Sequence, residues 1–274
     1  MMKRALLALA VGLVLVWSVA PAAWQALTAF KPDAQITHTP TIYLPHPPTW
    51  AHVVALWQRK PMAIYLANSA WVSGSATLLC VGVAALAAAA IAWLPRRRRE
   101  ALLLGLLLVS LFPPILMLFP LYEVVRALGW INHAASLVLA YAALNLPLAV
   151  WVLESALRGL PRELDEAARL DGLTSTRRLL RIHLPLVAPS LATAGILVFI
   201  FSWNEFMLAL TFMTRDASKT VTAGMASVGG ASIYEIPWGQ LSAAIVLATA
   251  PLIVLVLLFE RRIVSGLTRG AIKG

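Results

Sequence analysis

An all-α, polytopic membrane fold is predicted for this 274-residue chain, on three observations. Hydrophobic residues make up 60% of it and charged residues only 12%, far from the balance of a water-soluble domain. Six apolar runs are long enough to cross about 30 Å of hydrocarbon as helices. Lysine and arginine gather at the ends of those runs. They do not collect on a soluble face interleaved with aromatics, so the net charge of +10 does not point to nucleic acid. Cys80, the lone cysteine, falls inside an apolar run; it offers neither a disulfide nor a metal cluster and reads as a small core residue.

The first run, Ala5 to Trp24, follows Met1-Met2-Lys3-Arg4. Its charged start and Ala20-Pro21-Ala22 are signal-like, yet the run is long and the cleavage site indistinct, so it is read as a retained span. From Gln25 to about Asn68 the chain turns polar and proline-rich, as an extended surface segment would. Within it Trp50, Val53, Val54, Trp57 and Met62 recur near helical spacing and predict an amphipathic helix, either at the outer membrane surface or packed on the bundle. His38, His46 and His52 lack metal-ligand spacing and are expected to be solvated.

The second span is expected from about Ser69 to Leu94, with an alanine-rich stretch, Ala84 to Ala92, that permits close helix approach. Arg96 to Arg99 anchor its inner end. The third span, about Ala101 to Leu121, contains Pro113, Pro114 and Pro120, which free backbone carbonyls and predict a kinked or broken helix. Tyr122 to Asn132 reads as an outer connection, and the fourth span runs from about His133 to Leu153 with Pro147 inside it. The fifth, about Ser190 to Phe212, carries Asn204 and Glu205 roughly 22 Å from its inner end at about 1.5 Å per residue. A carboxylate at that depth either lines a solute path or ties helices together. Met213 to Gly239 is the last outer segment, Gln240 to Phe259 the sixth span, and Glu260 to Gly274 a basic, glycine-punctuated tail.

Between spans four and five lies Pro161 to Pro189, a long polar interval with helix punctuation at both ends. Pro161 suits a first turn, Glu163, Asp165 and Glu166 favour its positive end, and Gly172 can take the left-handed conformation that stops a helix. A second short helix, capped by Thr174 or Ser175 and carrying Arg177, Arg178 and Arg181, is expected to end at Pro185. The pair makes a compact knob. With six spans, 16 of the 22 lysines and arginines fall on the side of this knob and of both termini, which places that side in the cytoplasm.

No GxxxxGK[ST] phosphate loop, HExxH or GxSxG occurs, and the 12 acidic residues do not pair into a catalytic set, so the chain reads as a conduit and not an enzyme. A gradient-driven transporter would want several intramembrane carboxylates or histidines, and only Glu205 clearly qualifies.

Glu166-Ala167-Ala168, Gly172 after three residues, Ile182 after nine more, then Leu184-Pro185 resemble the EAA loop of the membrane subunits of bacterial ATP-binding cassette importers. Pro120-Leu121-Tyr122, Ser202-Trp203-Asn204-Glu205-Phe206 and the tail Arg262 to Gly274 are similar to the second permease subunit of carbohydrate importers of the maltose and trehalose type. The resemblance implies a type I importer fold of six transmembrane helices with a cytoplasmic coupling helix. Residues 1–68 would hold the first span and an outer segment, 69–260 the permease core, and 261–274 a cytoplasmic tail. It implies a partner permease, two copies of an ATPase subunit that bind ATP and Mg, an extracytoplasmic solute-binding protein, surrounding lipid, and no cofactor on this chain. Glu166, Ala167, Ala168, Asp171, Gly172, Ile182, Leu184 and Pro185 would couple to the ATPase, Asn204 and Glu205 would line the substrate pathway, and Gly229, Gly230, Ala231, Ser232, Ile233 and Tyr234 would reach the binding protein. A permease for a non-sugar solute, such as a glycerol phosphate derivative, is the competing expectation; no lysine or arginine lies well inside a span, which favours a neutral solute.

Overall fold

The computed structural model describes residues 2–228 and 236–271. It is helical, with no strand among the described residues. The helices that matter here are α1 (Met2–Ala29), α2 (Ala51–Arg59), α3 (Met62–Ala92), α4 (Arg96–Ser110), α5 (Leu118–Ala127), α6 (Ala134–Arg158), α7 (Arg162–Leu170), α8 (Ser175–Leu186), α9 (Ala188–Asn204), α10 (Met207–Phe212) and α11 (Trp238–Ala271). Contacts within the chain group it into two units, Met1–Ile64 with Gly224–Val254, and Tyr65–Ala223 with Leu255–Gly274. Among the described residues, four helices are long and apolar enough to span a membrane, and up to six if each of two sharply bent pairs counts as one span.

In the larger unit the core is built on small residues. Cys80, Ala84, Ala85 and Ala88 of α3 are buried in one cluster with Ala149, Val150, Leu153 and Leu157 of α6 and Ala194 and Val198 of α9. Lipid is as apolar as leucine, so helices in a membrane associate by close packing, which alanine allows. Gly195 of α9 shows the closeness: a Cβ there would stand 3.6 Å from the Thr77 methyl of α3. A second cluster joins Val72 and Ala76 of α3, Leu137 and Tyr141 of α6, and Leu208, Ala209 and Phe212 of α10.

Several boundaries differ from the sequence expectation. The second span begins at Met62, not Ser69, because Asn68 and Ser69 do not face solvent as a boundary would. Asn68 Nδ2 donates to the carbonyls of Ala217 and Lys219 at 3.0 Å, and Ser69 Oγ accepts from the Val221 amide at 2.8 Å. The third span is broken outright: α4 and the helical stretch Pro114–Ala127 meet at 81° across Leu111–Pro113, and α5 extends to Ala127 where an open connection was expected. The fifth run is also interrupted, at Glu205–Phe206, between α9 and α10. Helix α11 continues through Ala271, so the basic tail is helical as far as that residue. The amphipathic helix is shorter than expected, ending at Arg59, and His52 within it is buried while His38 and His46 are exposed. His52 Nε2 lies 2.8 Å from the Lys31 carbonyl, a contact made possible by Gly239, where any Cβ would collide with the imidazole.

The basic stretch after the second span does more than mark sidedness. Arg96 to Arg99 open α4, and Arg99 reaches the buried Glu154 of α6 at 3.5 Å. Trp151 Nε1 donates to the Leu103 carbonyl at 3.2 Å, a second tie between the same helices.

Candidate functional site: a stapled two-helix knob

Helix α7 begins after Pro161, an N-cap in extended conformation, and carries Glu163 and Asp165 in its first turn, where the helix dipole favours negative charge. It stops in a Schellman turn: the Gly172 amide donates to the Arg169 carbonyl and the Leu173 amide to the Ala168 carbonyl, each at 3.0 Å. Gly172 takes φ +75°, a region in which a Cβ crowds the following carbonyl. Thr174 then caps α8, its Oγ1 accepting from the Arg177 amide at 3.4 Å. The middle of α8, Leu179–His183, is a π-helical turn, and Pro185 sits within the final turn, so the expected stop at Pro185 is displaced to Val187. There the chain bends by 80° into α9. A proline near the start of that last turn lacks an amide the turn does not need, which is why it fails to end the helix.

One buried carboxylate holds the two arms together. Asp165 of α7 pairs with Arg169 of its own helix at 2.9 Å and with two groups of α8: Arg178 Nε at 3.0 Å and His183 Nε2 at 3.5 Å. Arg178 also donates to the Leu173 carbonyl and to Ser175 Oγ, both at 3.3 Å, closing the turn between the arms. The π turn puts His183 on the inner side, against the Trp93 ring at 5.7 Å. Burial lowers the His183 pKa; Asp165 acts in the opposite sense, and Arg178 adds to the lowering. In the sequence Asp165 reads only as a favourable first-turn acid. Its signal would have been the spacing to Arg178 and His183, visible once the Gly172 turn folds one helix back on the other.

The expected coupling residues divide between the two faces of this knob. Ala168 is buried, while Glu166, Ala167, Asp171, Gly172 and Pro185 are exposed and Ile182 and Leu184 half-buried. Leu170, 89% exposed at the end of α7 beside exposed Ala167, was not expected as a site residue. Behind the knob a cavity of about 680 Å³ is lined by Trp93, Arg96, Arg99, Arg158, Asp165 and Glu166, among others.

Asn204 and Glu205 lie at the break between α9 and α10. Asn204 is exposed, its Nδ2 donating to the Ile200 carbonyl at 2.8 Å. The Glu205 carboxylate is turned inward: Oε1 accepts from the Leu208 amide at 2.8 Å, and Oε2 from the Ala209 amide at 3.1 Å and the Tyr141 hydroxyl at 2.7 Å. It therefore caps α10 and ties it to α6. Residues Gly229, Gly230, Ala231, Ser232, Ile233 and Tyr234 lie outside the described residues.

Residues 81–269 match the family model described as binding-protein-dependent transport system inner membrane component, a span that includes the knob, both helix breaks and most of α11. The chain belongs to this family. Among relatives, the chain is 37% identical to the sulfoquinovosyl glycerol transport system permease protein of Agrobacterium fabrum, over 97% of the chain and 93% of that protein. It is 37% identical to the trehalose/maltose transport system permease protein of Thermococcus litoralis, over 100% and 98%. To the trehalose transport system permease protein of Mycobacterium tuberculosis it is 35% identical, over 96% and 95%. A bacterial ABC transporter that imports the acidic polysaccharide alginate has the same fold, with a TM-score of 0.78 at 18% identity and coverage of 95% and 96%. Transport in this family depends on a binding protein, and the inner membrane component is its multi-pass permease.

Proposed function

We propose that this chain is one of two homologous permease subunits of an ATP-binding cassette importer that takes up a sugar, a di- or oligosaccharide of the trehalose or maltose class, by alternating access. The observation that carries the reading is the knob: two short helices locked by Asp165, joined through the bend at Val187 to α9, and presenting Glu166, Ala167, Leu170 and Asp171 outward. A rigid element with an exposed apolar tip can be gripped by a partner and moved as one body.

The partner is a separate ATPase, present in two copies and binding ATP and Mg, since this chain has no phosphate loop. Closure of the ATPase pair shifts the knob, α9 follows, and the pathway opens to the binding protein; hydrolysis reverses the motion. Coupling of this kind requires the knob to make different contacts in the two states. The charge distribution favours a cytoplasmic membrane location with both termini inside. Contact with the binding protein is assigned to Gly229 to Tyr234, and the solute pathway to Asn204, which is exposed, beside Glu205, which is tied to α6 and α10.

The test is affinity purification of the chain in mild detergent, intact and as Glu166→Lys with Gly172→Pro, with mass spectrometry of what accompanies it. The reading expects a second six-span permease and a P-loop ATPase with the intact chain, and loss of the ATPase from the variant. A chain that purifies alone and transports as a monomer or homodimer overturns it.

A further inference from the structure

The last turns of α1 and the first of α11 enclose a cavity of about 240 Å³, lined by Trp24, Thr28, Lys31, Ile36, Trp238 and Ser242, among others. Three features of it have no role in the coupling knob. Lys31 is only 1% exposed, and no carboxylate pairs with it among the described residues. Its Nζ lies 4.0 Å from the centroid of the Trp24 ring, so an indole face covers one side of the ammonium. Burial lowers the Lys31 pKa. The Thr28 hydroxyl, on the same wall, is also buried and has no hydrogen-bond partner. Both indoles, Trp24 and Trp238, are partly exposed.

Buried cations and buried hydroxyls are normally satisfied, and here one anionic acceptor would satisfy both. We propose that this cavity is a binding site for a sugar-sized acid, with a carboxylate or sulfonate paired to Lys31 Nζ and accepting from Thr28 Oγ1, and the ring lying against Trp24 and Trp238. A neutral sugar would fill the volume but leave the ammonium uncompensated. An acidic side chain from a docked protein would neutralise Lys31 but leave most of the cavity empty. The site lies outside the coupling machinery and adds an anionic preference that the proposed function does not contain; it rests on that function only for the choice of sugar probes.

Saturation-transfer NMR on the full-length chain, assembled with its partner subunits in lipid nanodiscs, compares D-glucuronate with D-glucose, which share a ring and differ in charge. Binding of glucuronate should be tighter by about tenfold or more, the scale of one charge-assisted hydrogen bond. Lys31→Met should erase the difference, Lys31→Arg should keep it, and Thr28→Val should weaken glucuronate by several-fold. Equal binding of the two sugars by the natural chain overturns the proposal, as does a preference that survives Lys31→Met. Should Lys31→Met fail to assemble, Thr28→Val decides: unchanged glucuronate binding overturns the site. ATP-driven uptake of a neutral sugar by the same assembly is read separately, so failure of the anion site leaves the importer function standing, and the reverse.

Discussion

Replacing Asp165 by asparagine keeps the shape of the side chain and removes the charge that holds the knob together. The Arg178 guanidinium stands 3.0 Å away, a gross attraction of about 5.5 kcal/mol at an effective dielectric of about 20. Desolvation offsets part of that, but both side chains are already largely buried, at 15% and 8% exposure. Removing one partner of such a pair costs about 3–5 kcal/mol, because the other is left uncompensated. Arg169 is 59% exposed and adds only about 0.3–0.5 kcal/mol. Asparagine can still accept one hydrogen bond, which puts the change at the low end, about 3 kcal/mol, and raises local opening of the knob roughly a hundredfold. Hydrogen exchange over residues 162–186 of the assembled importer reads that opening, and sugar delivered per ATP hydrolysed reads its consequence. We expect faster exchange confined to the knob, a lower transport ratio and continued hydrolysis. Unchanged exchange together with an unchanged ratio would refute the claim that this carboxylate makes the knob one rigid body.

Four further predictions rest on the contacts described above. Gly172→Ala meets no atom within 4 Å and should cost only the left-handed backbone term, about 1–2 kcal/mol, leaving transport measurable. Gly172→Pro cannot adopt φ +75° and removes the amide that bonds Arg169, so the chain should insert normally while the assembled importer hydrolyses ATP without uptake. The folded knob resists protonation of His183, so the unfolded state binds more protons below about pH 6.5. Its stability should be flat above that pH and fall as the pH drops toward the lowered folded value; His183→Gln should abolish the dependence in exchange measurements corrected for intrinsic rates. Glu205→Gln and Tyr141→Phe, which share one hydrogen bond, should each lower stability in detergent by about 1–2 kcal/mol and combine to less than their sum. Strictly additive losses would show that the two groups act apart.

Much of this architecture is legible in the sequence because membrane helices announce themselves by length and apolarity, and because Gly172 and Thr174 are local signals whose effect needs no tertiary knowledge. The misplaced start of the second span and the burial of His52 share one physical cause. Asn68, Ser69 and His52 are polar residues that look like surface, and each is a long-range tie to a backbone group far along the chain. Glu205 is the converse. Between Gly195 and Phe212 no glycine or proline warns of a break, yet its carboxylate caps a new helix and so ends the old one. In the knob, Glu166 and Gly172 are readable from spacing alone, whereas Asp165 becomes a partner of Arg178 only after the turn between them has closed.

Helix α1 has a consequence for how the protein is made. Its apolar stretch has a mean hydropathy of 2.3 and is 0% buried by the rest of the chain, and Trp17 is 84% exposed. One of the ties at its far end, Gln25 Oε1 accepting from Ser242 at 2.8 Å, joins residues 217 positions apart. At about 5–20 residues per second, that partner leaves the ribosome some ten to forty seconds after the helix does. Through that interval α1 must do without this tie. A span that waits so long for its neighbours can carry no polar side chain that depends on them, and the run from Ala5 to Trp24 holds a single serine and no charge.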